Sequence, residues 1–190
     1  MDQPSDIGGL FSADRIVVVG ANGAGKTWFA MRLATARRLP LVHHDALALT
    51  AGWVRRPESE VEVARNALAA EPAWILEGGP FALSGDVLAR AEVIVWLDLP
   101  RNIRFWRVFW RTLRFLGQRR PEHPPGNREW PGRRQLRFLI KVWSHDAQVR
   151  TMIDRKLSET CAHVIRVTSP HAVNALVASL KDPPHALPAL

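Results

Sequence analysis

The stretch "RIVVVGANGAGKT", residues 15–27, constrains this chain more than any other part of it. A β-branched run ends in glycine and passes directly into G-x-x-x-x-G-K-[ST], which spans Gly20 to Thr27. The run reads as a buried strand. The residues from Gly25 to about Arg38 read as a helix that Leu39 and Pro40 end. Strand, glycine-rich turn and helix in this order make a phosphate-binding loop. The glycines let the backbone close around phosphate oxygens, and the helix N-terminus adds partial positive charge. Gly20, Asn22, Gly23, Ala24 and Gly25 are the candidate cradle, with Trp28 just beyond it. Lys26 is placed to reach the β- and γ-phosphates, and the Thr27 hydroxyl to ligate a metal ion. ATP and Mg²⁺ are the expected cofactors.

Further apolar runs of strand length are "LVHH" (41–44), "AWILEG" (73–78), "EVIVWLD" (92–98) and "HVIRV" (163–167). Helical patterns separate them: "PESEVEVARNALAA", "LSGDVLARA", an arginine-rich segment from Arg101, a long helix from about Arg133 to Glu159, and "HAVNALVASL". Alternating strands and helices predict a parallel sheet covered on both faces, hence an α/β fold. One domain of 190 residues is expected, with a core over 15–180 and a frayed tail at 181–190.

A site for metal and phosphate also needs a carboxylate at the end of a neighbouring strand. Glu77 and Asp98 are the candidates, and Glu77 is favoured because two glycines follow it and admit close approach. Asp98 reads equally well as a cap on the next helix. Asp45 follows the second strand, where it would accept a proton from an acceptor hydroxyl, orient the acceptor, or cap a helix. His43 and His44, adjacent on a strand, point to opposite sides; they make a poor metal pair and read as structural or acceptor-lining.

Charge is concentrated in one place. The formal net charge is +8, and residues 101–137 hold eleven arginines against Glu122 and Glu129. That segment accounts for +9 and the remainder for −1, which predicts a local anion site. At about 100° per residue, Arg101, Arg104, Arg107, Arg111 and Arg114 fall within roughly 140° of one another. Phe105, Trp106, Phe109, Trp110, Leu113 and Leu116 take most of the opposite side. This pattern suits a helix packed on a core while facing polyphosphate. It also suits a helix lying in a membrane interface, or a solvated basic face. Residues 117–132, with four prolines and three glycines, read as a loop.

The single cysteine, Cys161, excludes an intramolecular disulfide and reads as a lone buried thiol. The first fourteen residues lack a basic start and an apolar stretch, and runs such as "VIVWL" are far too short to span a bilayer. A cytoplasmic location is expected.

With "GANGAGKT", "HHDAL", "GWVRRP", "WILEGG", "VIVWLDLPR" and the arginine helix in this order, the chain resembles the adenylate-kinase-like P-loop proteins. It looks closest to the bacterial branch labelled "DNA topology modulation protein". The resemblance runs from about Arg15 to Leu180. It implies a five-stranded parallel sheet in the order 2-3-1-4-5, with a lid over about 101–137 between the fourth and fifth strands. It implies that an R-x-x-x-R pair before the lid, here Arg107 and Arg111, meets adenine and phosphates. Ser169 and Pro170, after the last strand, would border the adenine. Two departures stand out: Glu77 where such proteins usually carry aspartate, and the bulky Trp28 after the phosphate-loop threonine.

The expected activity is ATP- and Mg²⁺-dependent phosphoryl transfer to a nucleotide or small-molecule acceptor. Arg107 and Arg111, with Arg119 or Arg120, would form the clamp, and Asp45, Trp53, Arg55 and Arg56 would border the acceptor. The alternative is a nucleotide-binding regulator acting on DNA, which the family label suggests and interleaved arginines and aromatics permit. No reader motif for nucleic acid is recognisable. A membrane-surface role is disfavoured on the premise that the core needs the apolar side of the arginine helix.

Overall fold

The computed structural model describes residues 7–115 and 133–180, excluding the side chains of Trp53 and of residues 133–135. Five strands, β1 (Arg15–Gly20), β2 (Leu41–His43), β3 (Trp74–Gly78), β4 (Val93–Leu97) and β5 (His163–Val167), form one sheet in the order β2-β3-β1-β4-β5. Every neighbouring pair is parallel. Both the parallel sheet and its order match expectation.

Alternation along the central strand builds two apolar layers. Ile16 and Val18 join Phe29, Leu33, Ile75, Val95 and Ile165 on one face, while Val17 and Val19 join Trp74, Leu76, Ile94, Trp96 and Ile153 on the other. Helices α1 (Gly8–Ser12), α2 (Lys26–Arg37) and α9 (Pro170–Ser179) contribute to the first layer, and α4 (Glu58–Ala70), α5 (Gly85–Arg90) and α8 (Asp146–Leu157) to the second. The remaining helices are α3 (His44–Ala48), α6 (Arg101–Arg114) and α7 (Arg133–Ser144).

Four expectations need correction. The single long helix after Arg133 is two, because the chain turns at His145 (φ −98°, ψ 14°) and starts again at Asp146. His44 is not a strand residue; it opens α3 and is buried, so the two histidines do not flank one strand. Helix α1 was not anticipated. Cys161 is exposed, since it lies in the turn before β5 and not on a core face.

The parallel strands all end at one edge of the sheet. The phosphate loop follows β1 there, Asp45 lies just beyond β2, Glu77 is the penultimate residue of β3, Asp98 follows β4 and Ser169 follows β5. Chain direction alone gathers these side chains, as in other open parallel sheets.

Candidate active site

The phosphate loop joins β1 to α2 through two left-handed residues, Gly23 (φ 82°) and Gly25 (φ 94°), which L side chains adopt at a cost. Gly23 also has no room for a side chain. A Cβ there would collide with the Arg104 carbonyl oxygen and lie 2.9 Å from Val108 Cγ2. Helix α6 therefore sits directly on the loop. Gly25 caps α2, whose first turn leaves backbone N–H groups without helical partners, the ordinary basis of an anion site.

Lys26 extends back along the loop, its Nζ donating to the Ala21 carbonyl at 3.3 Å. Burial lowers its pKa; the Glu77 and Asp45 carboxylates oppose that shift, while Arg111 and Arg104 add to it. The cations and carboxylates assigned from sequence to different motifs thus act on one ammonium group.

The Thr27 hydroxyl donates to Glu77 Oε1 at 3.1 Å, and His43 Nδ1 lies 2.8 Å from the same oxygen. Burial opposes ionisation of Glu77, yet the His43 hydrogen bond, Lys26 and the Thr27 hydrogen bond outweigh it and hold the carboxyl below its ordinary value. A hydroxyl and an ionised carboxylate at this distance are hard oxygen donors of the kind Mg²⁺ takes. Among the described residues, no group of three or more His, Cys, Asp or Glu gathers into a metal cage. Mg²⁺ at phosphate sites does not need one, because phosphates and water supply most of its ligands.

Asp98 serves neither as helix cap nor as a carboxylate open to the loop. Arg150 holds it in a two-pronged pair (Nε–Oδ1 2.6 Å, Nη2–Oδ2 2.8 Å), and Arg166 adds bonds of 3.1 and 2.6 Å to Oδ2. Burial raises its pKa, but the two guanidinium groups prevail and lower it overall. Asp98 ties β4 to α8 and β5, and Glu77 is left as the carboxylate beside the phosphate loop.

Helix α6 reverses an expectation. Its inward residues are Arg104, Val108 and Thr112, while Trp106, Trp110 and Leu113 face solvent. Arg104 is only 2% exposed. It donates to the carbonyls of Leu99 (2.9 Å) and Asn22 (3.3 Å) and pairs with Asp146 at the start of α8. Arg107 follows one turn on, its Nη1 3.4 Å from the Ala24 carbonyl oxygen. Arg111, half-buried, is close enough to Lys26 to act on its charge. Arg104 packs inward because loop carbonyls and Asp146 satisfy it, while Arg101, Arg107 and Arg114 stay exposed, so the aromatic side is not needed for the core.

The outer residues are less closely joined. Asp45 is exposed in the first turn of α3 and does not cap it. Arg55 pairs its backbone with Leu49 across a short turn, and Arg56 lies 3.7 Å from Glu60. Trp28 is exposed, with Arg32 stacked 3.9 Å from its ring centre. Ser169 caps α9, its hydroxyl accepting from the Ala172 N–H at 3.1 Å, and Pro170 takes the first helical position. The Trp53 side chain, Arg119 and Arg120 lie outside the described residues.

Several residues of this region escaped sequence reasoning. Arg65 is buried and donates to Glu58 Oε1 at 2.8 Å, with His44 Nε2 3.4 Å from its other nitrogen. Burial keeps His44 below its ordinary pKa, against the pull of Asp45; a guanidinium only donates, so in this contact Nε2 is the acceptor. Arg150 and Arg166 carried no motif. An arginine at an otherwise apolar helix position, as in "EVEVARNAL", was the only available signal for Arg65.

The sheet order and the strand–loop–helix unit at its centre define a P-loop α/β fold. Among solved structures, a shikimate kinase from Acinetobacter baumannii in complex with shikimate matches with a TM-score of 0.52 at 22% identity. That match covers 91% of this chain and 93% of the other. A shikimate kinase from Bacteroides thetaiotaomicron matches with a TM-score of 0.51 at 16% identity, covering 90% and 97%. At these identities the likeness is one of fold. No family model matches the chain, and no curated protein does.

Proposed function

We propose that this chain is a P-loop kinase that transfers a phosphoryl group from ATP, with Mg²⁺, to a hydroxyl of a small-molecule acceptor. One observation carries the reading: the phosphate loop is enclosed between the Thr27–Glu77 pair on one side and the backbone and arginines of α6 on the other. The shikimate kinase fold, that of enzymes named for a small acceptor, supports it.

Gly23 and Gly25 shape the cradle, and Lys26 neutralises the outer phosphates. Thr27 and Glu77 would hold Mg²⁺, which would offset the negative charge of the phosphates. Arg107 and Arg111 bear on the transferring group, where charge spreads over equatorial oxygens in the transition state. Asp45 accepts the acceptor's hydroxyl proton, with Trp53, Arg55 and Arg56 bordering the acceptor. Ser169 and Pro170 border the base of the nucleotide. Phosphoryl transfer asks a protein mainly for position and charge, and this edge of the sheet offers both.

The test is a panel of small hydroxyl acids, polyols and nucleoside monophosphates, shikimate included, incubated with labelled ATP and Mg²⁺. ADP formation that depends on one acceptor is expected. Hydrolysis alone across the panel would overturn the kinase reading. Arg111→Ala should slow turnover by about 10³-fold or more while the melting temperature holds; an unchanged rate would remove the arginine clamp.

A further inference from the structure

The outward face of α6 and α7 is not accounted for by the phosphate site. Trp106, Trp110 and Leu113 occupy positions i, i+4 and i+7 of α6, and Leu136, Ile140 and Trp143 repeat that spacing on α7. All six are exposed, Trp110 at 64% and Leu136 at 60%. Phe105 meets Trp143 edge-on at 5.6 Å and so joins the two stripes, while Phe109 packs between Trp106 and Trp110 at 5.6 and 5.8 Å. The result is one aromatic and aliphatic platform across two packed helices. Isolated apolar side chains on a surface are ordinary, but a contiguous patch marks an interaction site.

We propose that this face docks on an anionic lipid bilayer. The charge around it selects the occupant. Helices α6 and α7 carry nine basic residues and no acidic one. Arg101 stacks on the Trp143 ring at 4.6 Å, and Arg114, Arg137 and Lys141 are exposed beside the stripes. Tryptophan, leucine and isoleucine on one side with arginine and lysine along the margin is the composition of a helix lying in the headgroup region. Among the described residues no helix is long and apolar enough to cross a membrane, so the contact is interfacial.

Other occupants fit less well. A second copy meeting this face symmetrically would set Arg101, Arg114, Arg137 and Lys141 against their own kind, with no acidic residue of α6 or α7 between them. Single-stranded nucleic acid stacks on aromatic rings, but Leu113, Leu136 and Ile140 offer bases nothing to stack on.

The test uses the full chain with phosphatidylcholine vesicles, with and without about one-third phosphatidylglycerol, in a flotation assay. Flotation with the anionic vesicles only is expected, with tryptophan emission quenched by lipids brominated along their acyl chains. The double variant Trp110→Ser, Ile140→Ser should lower the bound fraction by about tenfold or more at an unchanged melting temperature. Arg114→Glu with Arg137→Glu should do the same, and high salt should mimic it. The proposal is overturned by no flotation with anionic vesicles, or by flotation that Trp110→Ser, Ile140→Ser leaves intact. A dimer in sedimentation that the same variant dissolves, or capture of a single-stranded oligonucleotide in place of vesicles, also overturns it. The face points away from the phosphate loop, so vesicle binding and phosphoryl transfer are measured separately.

Discussion

Asp98 shows how a single side chain acquires its role from distant parts of the chain. Its carboxylate is 4% exposed and receives two guanidinium groups, from Arg150 and Arg166, that are 42% and 48% exposed. Asp98→Asn would leave those cations facing a neutral amide across a buried position. The cost expected from urea unfolding at pH 7 is about 2–3 kcal/mol, below the range for fully buried pairs because water screens both arginines. The pH dependence follows from the lowered pKa of Asp98. As pH falls, the unfolded chain takes up the proton first, near its ordinary value of about 3.9. The contribution is complete above that value and is lost as pH drops through the lower folded one. The gap between wild type and Asp98→Asn should therefore narrow below about pH 4; a gap constant down to pH 2 would contradict the assignment. Glu77 shares the sign, since His43, Lys26 and Thr27 hold it below its ordinary value.

At the scale of elements, the contact between α6 and the phosphate loop governs the site. Gly23 is its narrowest point, and its left-handed conformation adds strain to any substitution. Gly23→Ala should cost about 2 kcal/mol or more in stability and displace α6 from the loop. Nucleotide binding by fluorescence titration should weaken with it, whereas wild-type affinity in a destabilised Gly23→Ala chain would separate the two. Helix α6 also shows where periodicity stops informing. The 3.6-residue repeat correctly divided arginines from aromatics on its two sides. Which side faced inward depended on the acceptors waiting there: the carbonyls of Leu99 and Asn22, and Asp146 across a helix break. Hydrophobicity alone pointed the other way.

For the whole molecule, the consequence is coupling between nucleotide and stability. The phosphate loop, Glu77 and α6 belong to separate segments that meet only when the sheet is formed, so a nucleotide held as proposed would bind the folded chain alone. A non-hydrolysable ATP analogue with Mg²⁺ at about 100 times its dissociation constant should add about 2.7 kcal/mol, or roughly 5–10 °C in melting temperature for a chain of this size. Lys26→Ala should abolish most of that shift; an equal shift in the variant would place the nucleotide elsewhere.

The strands, the parallel sheet and the phosphate loop were legible in the residues, because strand composition and G-x-x-x-x-G-K-[ST] act through local backbone geometry. The position of Glu77 beside the phosphate loop was legible too, since it lies one residue before the end of a recognisable strand with two glycines behind it. The roles of Arg65, Arg104, Arg150 and Arg166, the capture of Asp98, and the break at His145 were not. The four arginines and Asp98 depend on partners remote in sequence, from 21 residues for Arg65 and His44 to 82 for Arg104 and Asn22. A buried arginine is tolerated only where carboxylates and carbonyls converge on it. That convergence arises from tertiary packing, and the same packing turned the aromatic side of α6 toward solvent.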